Sequence, residues 1–350
     1  MYRQQLYNEI INLSKSNNNL LLEWATGAGK SLGFILIQEE LKPKSVLIVI
    51  AERMHKQNWI EEYKKHNKEY LLDNVEFVCY AGLRKVIDNV YDLICLDEVH
   101  NITELRIEYL EVIRTKKFIA LSATVKNSIK ELLNEHLGTF FVHKVNMNDI
   151  ISNNLVNEPK FIIHKIVITD KNILKKLKTL DETVEYYKRQ LFLNKKSSTE
   201  FLLKRAGLNR KKYIASIKTP YIKEFMLRHT KRCIYFCESI AQCNELDSSE
   251  FIINSSVKNN KEILDNFNNE IINKIYVIKM FREGMNLSNI ESVVICQLDS
   301  TSKRFIQESG RGLRAVGYPE IHIFYVHSTV DDLFMQNSIK EINSNYISYE

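Results

Sequence analysis

At 350 residues the chain is too long for one ordinary core and long enough for two domains. Its charged fraction of 26% and hydrophobic fraction of 45% are those of a globular protein, and no apolar run approaches the roughly 18 residues a membrane span needs. The net charge of +6 is unevenly spread: Lys171 to Arg232 holds 18 basic and 5 acidic residues, a net of +13 that leaves the rest of the chain at −7.

In chain order, Met1-Tyr2-Arg3-Gln4-Gln5 lacks a signal-peptide apolar segment, so a cytoplasmic location is expected, or a host's cytoplasm for a phage-encoded chain. The apolar run Leu20-Leu21-Leu22 then leads into Trp24-Ala25-Thr26-Gly27-Ala28-Gly29-Lys30-Ser31, and a second apolar run extends from Leu32 to Leu41. That reads as strand, glycine turn and helix. Successive N–H groups of such a turn converge on one point, and the helix N-terminus adds its positive dipole end. A triphosphate fits there: Thr26, Gly27, Ala28 and Gly29 form the cradle, Lys30 reaches the β- and γ-phosphates, and the Ser31 hydroxyl ligates Mg²⁺. The general pattern asks for glycine at the position where Trp24 stands.

Alternation continues with strands over Ser45–Ile50, Val75–Tyr80, Leu93–Leu96 and Phe118–Leu121. Between them fall helices over Arg53–His66, Ile102–Arg114 and Ser128–His136. Asp97-Glu98-Val99-His100 follows the third of these strands, which puts Asp97 at the carboxyl end of a parallel sheet, where such sheets bind ligands. Asp97 can hold Mg²⁺ there, and Glu98 can deprotonate an attacking water. From about Ile150 the pattern changes: a loop, a strand over Phe161–Ile168, then the basic segment, helical with breaks near 194–198, Gly207 and Pro220. Within it Tyr186, Tyr187 and Phe192 read as core. Lys195, Lys196, Arg210, Lys211 and Lys212 read as phosphate contacts on a nucleic acid.

Alternation resumes with strands over Cys233–Cys237, Phe251–Ile253, Ile275–Met280, Val293–Leu298 and Ile321–Val326. Helices are expected over Ile240–Leu246, Lys258–Asn268, Ser302–Leu313 and Val330–Ile342. The six cysteines are scattered through these elements without C-x-x-C spacing and read as reduced, buried thiols. On the helix from Ser302, continuing through this stretch, Gln307, Arg311 and Arg314 recur at i, i+4 and i+7, on one face, with Gly310 and Gly312 marking close backbone approach.

With the phosphate loop and the acidic motif, the chain resembles the superfamily 2 helicases and translocases, close to phage recombination helicases and restriction-enzyme motor subunits. Ser122-Ala123-Thr124 looks like their third motif, Ile234–Ile240 the fourth, Glu283-Gly284-Met285-Asn286-Leu287 the fifth and Gln307 to Arg314 the sixth. The resemblance implies two tandem RecA-like α/β domains, over 1–150 and 231–350, joined by a connecting strand and basic helical insert over 151–230. It implies an ATP-dependent DNA helicase or translocase, with an RNA helicase or a restriction-type motor subunit as alternatives. Lys30, Asp97, Glu98, Gln307, Arg311 and Arg314 would be catalytic, the two arginines acting as fingers on the phosphates. Gln5 would read adenine, Gly284 and Asn286 would touch the nucleotide, and His100, Ser122 and Thr124 would couple ATP state to domain movement. ATP, Mg²⁺ and a nucleic acid, DNA foremost, are the implied cofactors and partner; no membrane partner is expected, and a protein partner has no identifiable signature.

Overall fold

The computed structural model describes residues 2–247, 251–253, 260–278, 287, 289–299, 318–340 and 342–350. Contacts divide the chain into two compact units, Met1–Val156 and Asn157–Glu350.

In the first unit the elements run α1 (Tyr2–Ser16), β1 (Asn19–Trp24), α2 (Lys30–Leu41), β2 (Val46–Ile50), α3 (Met54–Lys65), β3 (Val75–Cys79), β4 (Val90–Tyr91) and β5 (Leu93–Leu96). They continue with α4 (Glu104–Val112), β6 (Arg114–Thr115), β7 (Phe118–Ser122), α5 (Asn127–Leu137), β8 (Phe140–Val145) and α6 (Met147–Ser152). Six strands form a parallel sheet in the order β3-β2-β5-β7-β1-β8. Every residue of β1, β2, β5 and β7 is buried. A parallel sheet covered on both faces requires this, and it explains why these strands read as unbroken apolar runs. Leu47, Val49, Ile94 and Ala120 of the sheet meet Ile107 and Leu110 of α4 and Leu133 of α5 in one core. Neither α1 nor β8 has a clear sequence signal: α1 is mostly polar with a narrow apolar stripe, and β8 is an edge strand with Phe141 and Val142 exposed.

The second unit comprises β9 (Lys160–Ile166), α7 (Lys171–Asn194), α8 (Ser197–Arg228), β10 (Cys233–Cys237), α9 (Ile240–Leu246), β11 (Ile252–Ile253) and α10 (Asn260–Asn268). After these come β12 (Lys274–Ile278), β13 (Ser292–Ile295), β14 (Glu320–Val326), α11 (Val330–Ile339) and β15 (Ile347–Tyr349). Its sheet, in the order β11-β12-β10-β13-β14-β9-β15, is parallel throughout. The two units are thus both parallel α/β sheets flanked by helices, the tandem RecA-like architecture with a helical insert.

The basic segment is an antiparallel-type hairpin of two long helices, turning at Lys195 with φ 39°. The expected breaks at Gly207 and Pro220 do not occur, because α8 runs through both. Gly207 costs a helix only about 1 kcal/mol. Around Pro220, burial of Ile214, Ala215, Ile217, Thr219 and Ile222 holds the helix, and the Thr219 hydroxyl donates to the Ala215 carbonyl at 2.9 Å. Lys218, fully buried, anchors α8 by donating to the Phe324 carbonyl at 3.0 Å and pairing with Asp331 at 2.9 Å. The reading of Tyr186 and Phe192 as core is also overturned: both are exposed, Phe192 by 85%, on the outer part of the hairpin. No helix among the described residues is long and apolar enough to cross a membrane.

Candidate nucleotide site

The loop between β1 and α2 has Gly27 and Gly29 both at φ 94°, in the left-handed region that glycine enters without a steric penalty. At Gly29 a side chain is doubly excluded, since a Cβ would collide with the Tyr7 hydroxyl of α1. No side chain caps α2 at Gly29, so its first N–H groups face the concavity of the loop. Lys30 folds back to donate to the Trp24 carbonyl at 3.0 Å.

Trp24 takes no part in lining the cradle. It is fully buried beneath the loop, stacked on Tyr7 at 6.2 Å between centroids, and its indole N–H donates to His143 Nδ1 at 2.9 Å. A Cβ on Gly33 of α2 would approach the indole to 3.6 Å and Ile10 to 2.9 Å, so helix, indole and α1 are in mutual contact. The departure from glycine at this position therefore reflects a packed support under the loop.

Beyond β5, Glu98 sits at φ 46°, a left-handed turn that a non-glycine residue enters at a cost of about 1–3 kcal/mol. Asp97 Oδ2 accepts from the indole N–H of Trp59 at 2.9 Å, and its carbonyl accepts from the Tyr80 hydroxyl at 3.0 Å. Trp59 is held by α2 and α3 neighbours, edge-on to Phe34 at 5.6 Å and beside Tyr63. Burial, then the charge of Glu98, raises the Asp97 carboxyl well above its usual range. In Glu98 burial acts upward too, but the hydrogen bond from His100 and the charge of Lys30 outweigh it and hold this carboxyl low. The Lys30 charge bears on both groups, so loop lysine and acidic pair share one electrostatic neighbourhood.

His100 Nδ1 lies 2.8 Å from the Ser122 hydroxyl and 3.2 Å from Glu98 Oε2, linking the acidic motif to Ser122-Ala123-Thr124. The Ser122 hydroxyl in turn donates to the Thr124 carbonyl at 2.9 Å. Glu23, buried at the end of β1, accepts from the Val125 N–H at 3.0 Å and pairs with Lys130 at 2.6 Å. It pins the same segment from the loop side.

These side chains fit a nucleotide and a divalent cation. Two left-handed glycines and an uncapped helix end form an anion concavity, and beside it stand a hydroxyl, a lysine and a carboxylate positioned by an indole. Trp59, Glu23 and Tyr7 escape sequence reasoning. The only hint was that Trp59 and Tyr63 recur at i, i+4 on one face of α3.

Other expected residues are less gathered. Gln4 and Gln5 are both exposed on α1, where Gln4 donates to Asn8 at 3.1 Å. Gly284, Asn286, Gln307, Arg311 and Arg314 lie outside the described residues. Lys195, Lys196 and Lys212 are exposed on the hairpin. Arg210 instead pairs with Asp181 at 2.8 Å, and Lys211 with Glu238 at 3.0 Å, so both charges are engaged within the unit. All six cysteines are free thiols, and only Cys79 is not fully buried.

The phosphate cradle and the carboxylate pair stand on one of two parallel α/β sheets, an arrangement that fits a nucleotide-binding core. The chain carries a superfamily 2 helicase core. The model of the type III restriction enzyme res subunit matches residues 1–127, and that of the helicase conserved C-terminal domain matches residues 217–316. A search of curated protein sequences finds no match. Among solved structures, the chain is similar to the ATP-dependent type ISP restriction-modification enzyme LlaBIII bound to DNA, with TM-score 0.64 and 12% identity. That likeness covers 100% of this chain but 31% of the enzyme, so the chain spans about a third of its length. It is also similar to the helicase domain of Hef from Pyrococcus furiosus, with TM-score 0.55 and 16% identity over 96% of this chain and 97% of that one. At such identities the likeness is one of fold. The family is one of ATP-binding, nucleic-acid-dependent ATPases.

Proposed function

We propose that this protein is a DNA-dependent ATPase motor whose first unit hydrolyses ATP and whose helical hairpin contacts DNA. The observation that carries the reading is the convergence of Lys30, Asp97 and Glu98 at the carboxyl edge of one sheet, with Trp59 and His100 holding the two carboxylates. Thr26, Gly27, Ala28, Gly29 and Lys30 would bind the phosphates of ATP, and Ser31 and Asp97 would hold Mg²⁺, which supplies charge neutralisation there. Glu98, kept ionised by His100, takes the proton of the attacking water. Gln307, Arg311 and Arg314 supply the further charge stabilisation that the sequence pattern assigns to them, and Gly284 and Asn286 the nucleotide contacts. His100 and Ser122 relay the state of the site to Thr124 through the bonds already described.

On the hairpin, exposed Lys195, Lys196 and Lys212 fit phosphate contact, and exposed Tyr186, Phe192 and Phe201 offer faces on which bases can stack. DNA is preferred over RNA because one similar structure is of a DNA-bound enzyme. The match of residues 1–127 to a restriction-enzyme subunit favours a second reading, a motor working inside a restriction-type assembly rather than alone in replication, recombination or repair.

The test is ATP turnover with single-stranded DNA, duplex DNA, forked DNA and RNA in parallel, for the wild type, Lys30→Ala and Glu98→Gln. DNA stimulation that both variants abolish is expected, with ATP binding retained only in Glu98→Gln. Stimulation by RNA alone would replace DNA as the substrate. Unchanged turnover in both variants would overturn the site.

A further inference from the structure

The second unit gathers histidines at a place unrelated to the phosphate loop. Glu320 and His322 stand two residues apart on β14 and share a face of the sheet. His164 stands on the neighbouring β9, and His229 follows the end of α8. The His229 and His322 rings meet edge to face at 5.0 Å, walled by Phe225. One ligand atom each of His229, Glu320 and His322 all lie within 4.8 Å of one another. Nε2 of His229 and Nε2 of His322 are both buried, and neither has a hydrogen-bond partner.

Two orphaned imidazole nitrogens beside a carboxylate are a costly arrangement in an apolar setting, unless something positive converges on them. The distances suit a small cation. His322 Nε2 lies 3.4 Å from Glu320 Oε2, and two donors on a tetrahedron with bonds of about 2.0–2.1 Å stand about 3.3 Å apart. The other Glu320 oxygen is held by Lys231 at 2.8 Å, which leaves Oε2 turned to the rings.

The outer partners have the right order. His322 Nδ1 lies 2.9 Å from His164 Nε2, and His164 Nδ1 lies 3.5 Å from Glu350 Oε2. A proton on each Nδ1 makes a carboxylate–imidazole–imidazole chain that leaves the lone pair of His322 Nε2 pointing at the cluster. Carboxylate-backed histidines are the common second sphere of metal ligands.

We propose that His229, Glu320 and His322 bind one zinc ion, with water in the fourth position. Two imidazoles and a carboxylate suit a borderline cation of this kind better than Mg²⁺ or Ca²⁺. The ion would tie the end of α8 to β14, fastening the base of the basic hairpin to its sheet.

The test uses the whole chain, stripped with a chelator and titrated with Zn²⁺ against a chromophoric competitor. One zinc per chain is expected. Glu320→Gln, part-exposed and isosteric, should fold and lose affinity by more than the roughly 10- to 100-fold that removal of an outer-sphere partner costs. His229→Gln should do the same. Co²⁺ in place of zinc should give tetrahedral visible bands without thiolate charge transfer, which separates this site from the buried cysteines. Absence of stoichiometric binding, a thiolate band, or affinity undiminished in Glu320→Gln would show a hydrogen-bonded histidine cluster and overturn the assignment.

Discussion

Replacing Trp24 by the glycine that the general phosphate-loop pattern asks for should damage this protein. Trp24 is fully buried, stacked on Tyr7, and donates to His143. Truncating a buried aromatic costs about 3–5 kcal/mol, and glycine in a strand adds about 0.5–1 kcal/mol. A loss of roughly 4–6 kcal/mol is therefore expected, a large share of the 5–15 kcal/mol that typical domains possess. Trp24→Phe keeps most of the packing and loses the indole donor, at about 1–2 kcal/mol. The assay is urea unfolding followed by tryptophan emission. The chain has two tryptophans, Trp24 and Trp59, both in the first unit, so the signal reports that unit even if the other unfolds separately. With a urea dependence of about 2 kcal/mol per molar, the Trp24→Gly midpoint should fall by about 2–3 M. A midpoint within about 0.5 M of wild type, or faster ATP turnover in Trp24→Gly, would refute the view that the indole supports the loop from below.

Gly29→Ala should weaken nucleotide binding and destabilise the first unit, since the added Cβ meets the Tyr7 hydroxyl at a left-handed position; Tyr7→Phe in the same background should restore part of the loss, and no restoration would mean backbone strain alone is at fault. Trp59→Phe removes the donor to Asp97 and should lower activity about 10- to 100-fold, with a higher Mg²⁺ requirement; an unchanged Mg²⁺ titration would show that Asp97 is positioned without it. Reversing Lys195, Lys196 and Lys212 to Glu should flatten the dependence of DNA affinity on salt by roughly 0.7–0.9 per lost phosphate contact, measured as log affinity against log salt, while stability stays near wild type. Arg210→Glu and Lys211→Glu should instead lower the unfolding midpoint, because each breaks an ion pair within the second unit; a flattened salt slope without destabilisation would return both to the DNA surface.

What was legible in the sequence had one of two properties: it was contiguous, or it was periodic. The phosphate loop is eight consecutive residues, and its geometry follows from glycines that must sit at positive φ. Strands of a doubly covered parallel sheet are apolar at every position, so β1, β2, β5, β7 and β10 stand out without knowledge of their partners. Edge strands lack that property. β8, half exposed, alternates too irregularly to be seen, and β15 is only Ile347–Tyr349. Pattern also misjudged α8, because glycine and proline are read as punctuation, whereas buried contacts on both sides of Pro220 decide whether the helix continues.

The supports of the candidate site were hidden for a different reason: they join residues far apart in the chain. Trp59 reaches Asp97 across 38 positions, and Glu23 reaches Val125 across 102. Nothing local distinguishes an indole that orients a carboxylate from one that merely fills a core. Trp24 and Trp59 show the two uses side by side, the first beneath the loop and the second against the acidic pair. The basic segment makes the same point with charge. Its excess of +13 is a fact of sequence, but Lys218, Arg210 and Lys211 spend theirs on Asp331, Asp181 and Glu238. A net charge counts every lysine and arginine alike. The charge left for a partner outside the fold is set by residues whose partners are not already within it; of these, Lys195 and Lys196 stand exposed at the turn beside exposed Phe192, and Lys212 stands exposed farther along α8.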